Sequence, residues 1–303
     1  MATSLRPTGA EGLERSCAPG EFLRGHGPID GVELMEARFG RRAYGKHRHD
    51  TYGITLTELG VLTFDYRGRV ETSLPGQVVV LHPDELHDGR PGDDTGLGYR
   101  IVYVEPARIA EAVRAIRGRP GPLPFVREPV VTTPQLARAV ASAFFFAPGE
   151  DATSPALAEG GRGLEPLARD GLVLRLAEGL LAADPAERPA APPRRLDVPA
   201  LERTRAFLHG QPRVVRSAEL EAVAGLTRYE LARQFRALYG TSPYRYSLMR
   251  RLDLARDHLR RGAALVDAAV DAGFADQPHF TRVFRAAFGV TPGRYARLQA
   301  LGG

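Results

Sequence analysis

The sequence predicts an α+β chain in two parts, an antiparallel sheet or barrel followed by a purely helical domain. Three observations point there. Short runs of alternating apolar residues fill the stretch from Val32 to about Val104. A stretch with five prolines and no apolar period, DPAERPAAPPRRLDVP, separates this half from the rest. Beyond it the sequence repeats with a period of 49 residues, and each copy has helical spacing. At 303 residues the chain is long enough for about two domains with cores of their own.

In chain order, residues 1–22 are rich in Gly, Pro, Ser and charge and read as a flexible leader. They hold no apolar run of the kind a secretory signal needs, and nowhere does the chain approach the ~20 apolar residues of a membrane span, so a cytoplasmic location is expected. The single cysteine, Cys17, excludes an internal disulfide and any cysteine-based zinc cluster. The runs YGITLTEL, VLTFDYRG, GQVVVLHP and YRIVYVE then read as strands. Helical spacing follows at Pro106–Ile116, Pro134–Phe146 and Leu164–Ala183. Leu172, Leu174, Leu176, Leu180 and Leu181 give the last of these a broad apolar face, suited to dimerisation or to covering another part of the chain. The expected boundaries are a leader at 1–22, a sheet-and-helix domain at 23–184, a linker at 185–199 and a helical domain at 200–303.

Charge is unevenly divided. From Leu196 to Gly303 there are 17 Arg against 10 Asp plus Glu, a net of +7, whereas residues 1–195 carry −2. A basic module beside a near-neutral one is the balance of a nucleic-acid binder attached to a sensor. An architectural, sequence-indifferent DNA binder would need far more charge and more lysine than the single Lys46.

Each copy of the repeat reads as helix, glycine turn, helix. In the first, Ser217 caps a helix through Ala224, Gly225 turns, and Thr227 with Glu230 forms a capping box that opens the next helix. That helix buries Leu231, Phe235 and Leu238 and presents Tyr229, Ala232, Arg233 and Arg236 on its other face. In the second, Gly273 turns, and the following helix buries Phe280, Phe284 and Phe288 while exposing Pro278, Thr281, Arg282 and Arg285. A short helix, a turn and an Arg-bearing second helix is the geometry that enters a DNA major groove, where the guanidinium fork matches guanine O6 and N7. Between the copies, Pro243–Arg261 reads as one helix of ~28 Å with Tyr246, Met249, Leu252, Ala255 and Leu259 on one face. It sets the two reading helices for successive major grooves of one duplex, ~34 Å apart.

The stretch GFADQPHFTRVFRAAFGVTPGRY, with LTRYELARQFRALYGTSPYRY and RLDLARDHL, resembles the DNA-binding domain of AraC/XylS-type transcriptional regulators over about residues 200–298. The resemblance implies two helix-turn-helix units on one chain, a double-stranded DNA target and RNA polymerase as a partner. By position it nominates Tyr229, Ala232 and Arg233, then Pro278, His279 and Arg282, as base contacts. The segments GKHRHD and PGQVVVLHPDELHDG resemble the cupin-like sensor domain of the same family, a β-barrel that binds a small effector and is a possible homodimer contact. His47 and His49, two apart, are expected to share one strand face. His87 stands at the later cupin histidine. Metal-binding cupins follow the His-x-His pair with a glutamate, where this chain has Gly53 and Ile54, the next acid being Glu58. The three histidines are therefore expected to touch an organic or ionic effector, with no cofactor and no metal. The expected function is a ligand-responsive regulator rather than an enzyme. A metal-dependent cupin enzyme fused to a DNA-binding domain is the alternative.

Overall fold

The computed structural model describes residues 21–40, 44–146, 164–186 and 196–301. Residues 1–20 of the leader, Cys17 among them, and the centre of the proline-rich stretch lie outside the described residues, and the expected leader ends one residue inside the first strand, which starts at Phe22. The chain divides into two compact units. One is built on Met1–Val113, Gly121–Phe144 and Arg175–Pro189, the other on Arg114–Pro120, Phe145–Leu174 and Ala190–Gly303.

The first unit is a sandwich of two antiparallel sheets. Six strands run in the order β1 (Phe22–Ile29), β2 (Val32–Phe39), β9 (Leu97–Val104), β4 (Tyr52–Leu59), β7 (Val78–Leu81), β10 (Val130–Val131). Four more run in the order β3 (Tyr44–His47), β8 (His87–Pro91), β5 (Leu62–Tyr66), β6 (Arg69–Ser73). The alternation read from the sequence sends Ala37, Phe39, Leu97, Tyr99 and Ile101 of one sheet, and Leu62, Phe64 and Tyr66 of the other, into one core. Among the described residues the architecture is two open sheets, not the closed barrel expected.

Helices α1 (Pro106–Arg117), α2 (Pro134–Phe146) and α3 (Pro166–Ala183) follow. All five leucines of α3 are buried within the chain. Those leucines therefore leave no free apolar face on the helix.

The second unit is entirely helical. α4 (Val198–Gly210) precedes the first pair, α5 (Ser217–Ala224) and α6 (Arg228–Tyr239); α7 (Pro243–Arg260) connects them to α8 (Leu265–Asp271) and α9 (Gln277–Phe288), and α10 (Pro292–Leu301) closes the unit. Gly225 and Gly273 take the turns with φ of +71° and +72°, which L side chains adopt only at a cost. The repeat is realised in three dimensions. Phe235 meets Tyr246 edge-on at 5.9 Å in the first copy, and Phe284 meets Tyr295 at 5.7 Å in the second. No described helix is long and apolar enough to cross a membrane.

Several local expectations need correcting. Arg216, not Ser217, is the N-cap of α5, because the Ser217 hydroxyl is turned to a buried carboxylate, Asp170. Leu238 lies near the end of α6 and is exposed. The buried stripe of α7 runs through Tyr244, Leu248, Arg251, Leu252, Ala255 and Leu259, leaving Tyr246 and Met249 half-buried. An arginine in that stripe is the largest departure from the apolar pattern.

Candidate nucleic-acid interface and sensor site

Each reading helix is held by local chemistry. The Glu230 carboxylate accepts from the Thr227 amide at 3.3 Å and from its hydroxyl at 2.8 Å, fixing the start of α6. Asp276 caps α9 through the His279 amide, and Pro278 falls in the first turn where its missing N–H is not needed. α7 is capped by Ser242, whose Oγ accepts from the Arg245 amide at 3.2 Å. Its 18 residues span about 27 Å.

Arg251 ties the connecting helix to the second turn. Its Nε donates to the Ala272 carbonyl and its Nη2 to the Gly273 carbonyl, both at 2.7 Å, with the guanidinium 4.6 Å from the Phe274 ring centre. Its Nη1 donates to both oxygens of Glu165, at 2.8 and 2.7 Å. All three nitrogens of a fully buried cation are therefore engaged.

The nominated base-reading residues fall into two groups. Pro278 and Arg285 are exposed, and Arg233, Arg236, Thr281 and Arg282 are half-buried, with Pro278, Thr281, Arg282 and Arg285 lining one groove along α9. Tyr229, Ala232 and His279 are instead buried, at 2%, 6% and 1% exposure. The expectation that Tyr229 and Ala232 are presented to solvent is thus corrected. The ring of His279 packs edge-on against Phe274 at 5.6 Å, and burial pulls its pKa down to about 4.

In the first unit the strand register brings the three sensor histidines together. His47 of β3 stands directly opposite His87 of β8, and their rings are 4.4 Å apart. His49 lies in the turn after β3 rather than on the strand, yet its ring is 4.9 Å from His87, 6.3 Å from His47 and 5.0 Å from Tyr103. Gly53 makes the room. A Cβ there would stand 3.2 Å from His49 Cε1 and 3.3 Å from Nε2, so the ring occupies the space a larger residue would claim.

Each Nδ1 is already engaged. The partners are the carbonyls of Gly45, Thr51 and Glu85, at 2.9, 2.8 and 2.9 Å for His47, His49 and His87. A carbonyl only accepts, so each Nδ1 carries the proton. Burial lowers the pKa of His49, and that of His87 to about 4, which leaves both neutral with Nε2 as an acceptor. The Nε2 of His49 is buried without a hydrogen-bond partner. Glu58 is turned elsewhere, accepting from Arg100 at 2.8 Å. Among the described residues no group of three His, Cys, Asp or Glu is arranged to hold a metal ion.

His82 has a different task. Its Nε2 accepts from the Val126 amide at 3.1 Å, so its Nδ1 carries the proton to the Tyr66 oxygen, also 3.1 Å away. Tyr52, Tyr66 and Tyr99 are core residues, whereas Tyr103 stands beside the histidines.

Residues 31–162 match the AraC-like ligand binding domain, and residues 220–298 match a helix-turn-helix domain. In both parts the chain is similar to AraC-type transcriptional regulators. Similar proteins include the uncharacterized HTH-type transcriptional regulator YbfI of Bacillus subtilis, 26% identical over 240 residues that cover 78% of this chain and 81% of YbfI. A probable AraC family regulator from Rhodopseudomonas palustris is 25% identical in a match covering 33% of this chain and 97% of that one, with a TM-score of 0.32. A cupin-family protein from Methanocaldococcus jannaschii is 13% identical over 29% of this chain and 83% of its own, with a TM-score of 0.28.

Proposed function

We propose that this AraC-like chain switches transcription in response to a small polar effector, reading two successive major grooves of double-stranded DNA with α6 and α9. The repeated unit carries the reading, because Arg233 and Arg236 on α6 recur as Arg282 and Arg285 on α9 with the same Phe–Tyr contact behind them. Arg233 and Arg282 are placed as base readers, with Pro278 and Thr281 beside Arg282; Arg236 and Arg285, about one turn on, meet phosphates. RNA polymerase is the partner through which a bound regulator acts. Any homodimer forms through the first unit on a surface other than the buried leucines of α3.

Arg233→Ala is expected to cost about 1–3 kcal/mol on the selected site, as the loss of one bidentate guanine contact does. Arg236→Ala and Arg285→Ala should weaken all duplexes alike and flatten the dependence of log K on log salt by about one unit each. Titrations across a salt series separate the two kinds of contact. Equal effects from both would contradict the division.

The effector reading rests on His47, His49 and His87, whose Nδ1 protons are committed to carbonyls. An effector with O–H or N–H donors fits the acceptor Nε2 atoms of His49 and His87, and neither catalysis nor a metal is part of the reading. His49→Ala should abolish the effector response while basal DNA affinity stays unchanged, and a strong chelator should leave the response intact. The pH dependence moves from where an unperturbed imidazole would place it. With both imidazoles neutral at pH 7, effector affinity is expected to be flat around neutral pH and to fall in more acid solution as Nε2 is protonated. Loss of a stoichiometric metal together with the response would favour the enzymatic cupin reading instead.

A further inference from the structure

Three observations within the second unit concern one segment, Leu164–Leu174 together with Phe145. On the first copy, Leu167, Asp170 and Gly171 of α3 face Ser217, Arg228 and Ala232 across a narrow cleft. Asp170 accepts from the Ser217 hydroxyl, and Arg228 Nη1 lies 3.6 Å from its carboxylate. On the second copy, Arg282 Nε donates to the Phe145 carbonyl at 3.0 Å, and its guanidinium is 5.9 Å from the Phe145 ring centre. Phe145 stands in the groove otherwise lined by α9 residues, Pro278, Thr281 and Arg285 among them, and by Thr291. Between the copies, Glu165 neutralises Arg251 on the connecting helix.

We infer that the leading half of α3 and Phe145 form an intramolecular cover over part of each DNA-reading helix, at Ala232 of α6 and at Arg282 of α9, and that the described conformation is one that hinders DNA binding. This rests on the reading of α6 and α9 as the DNA-contacting helices. A side chain reads a base edge only from within hydrogen-bond or van der Waals distance, about 3 to 4 Å. The Ala232 methyl, 6% exposed beside α3, cannot reach a thymine methyl, and Arg282 is held at Phe145 by its Nε and by the ring contact rather than free to swing to a guanine. The anchors are polar and reversible. A buried carboxylate on a hydroxyl and an arginine, one carboxylate–guanidinium pair and one carbonyl contact hold a surface that the released state returns to water.

The cover lowers apparent DNA affinity by the fraction of molecules that are uncovered, so releasing it is read as a gain. Leu167→Glu places a charge against the first copy without altering a reading helix. On the duplex that the wild-type chain enriches from a random library, this variant is expected to bind about 10-fold or more tighter. Phe145→Ala should give a smaller gain in the same direction. A second measurement does not depend on how Leu167→Glu folds. In a Cys17→Ser background, a thiol introduced as Ala232→Cys is expected to react with maleimide about 10-fold or more slowly than one introduced as Ala237→Cys, which is exposed on the same helix. Equal labelling rates would overturn the cover, as would a well-folded Leu167→Glu chain with wild-type affinity. If neither chain prefers any sequence, the DNA-reading assignment fails, and the labelling rates still decide whether α3 covers Ala232.

Discussion

Arg251→Met is expected to destabilise the second unit by about 3–5 kcal/mol, the range found when one partner of a buried ion pair is removed. The side chain is fully buried, and its methionine replacement fills similar length without a donor. Three acceptors are then stranded. The carbonyls of Ala272 and Gly273 lose the Arg251 donors, and Glu165, 18% exposed, loses its counter-ion. Arg251→Lys should recover little, because one ammonium cannot serve two carbonyls and a carboxylate in a plane as a guanidinium does. Urea titration followed by helical circular dichroism measures the loss. A cost below about 1 kcal/mol for both variants would mean that the arginine is replaceable packing.

Acid should unfold the first unit before the second. Burial lowers the pKa of His82 and of His87 to about 4, against 6.5 for an unperturbed imidazole. Between those values the unfolded chain binds protons that the folded one refuses, so stability is complete above pH 6.5 and falls as pH drops toward 4. Each shift corresponds to about 3 kcal/mol at full development. Smaller upward shifts of Glu33 and Glu58, both from burial, act in the opposite sense and offset part of this. In the second unit the two effects nearly balance. His279 is likewise lowered to about 4, whereas burial raises Asp170 to about 6, so that carboxyl contributes stability as pH falls. Denaturation at pH 7 and pH 5, with His82→Gln as control, tests this. The control should lose part of the first unit's pH dependence, to which His49 and His87 also contribute, and an unchanged slope would contradict the assignment to His82.

Much of this was legible without coordinates, for physical reasons. Capping and glycine turns are local, so Thr227 with Glu230, Gly225 and Gly273 mark their helices from sequence alone. The His47–His87 pairing was foreshadowed only by resemblance, since strand register is a long-range property. What was missed is tertiary. Helical periodicity divides α6 into a buried and a free face, but Ala232 is buried and lines a cleft with residues some sixty positions earlier, which no window on α6 contains. Arg251 was hidden by its charge. It sits three residues after Leu248 and four before Ala255, so spacing alone would have put it in the buried stripe. The closed barrel was expected from fold analogy, and the strand runs themselves carry no information on whether two sheets join at their edges.

The central claim is that two helices of one chain read DNA, and selection of duplexes from a random library by the full chain tests it most directly. The account predicts a motif in two blocks one helical turn apart, about 10 base pairs centre to centre. Arg233→Ala should erase preference at one position of one block and Arg282→Ala at one position of the other, each leaving the opposite block intact. Enrichment without a motif, or the same motif from both variants as from the wild type, would contradict it.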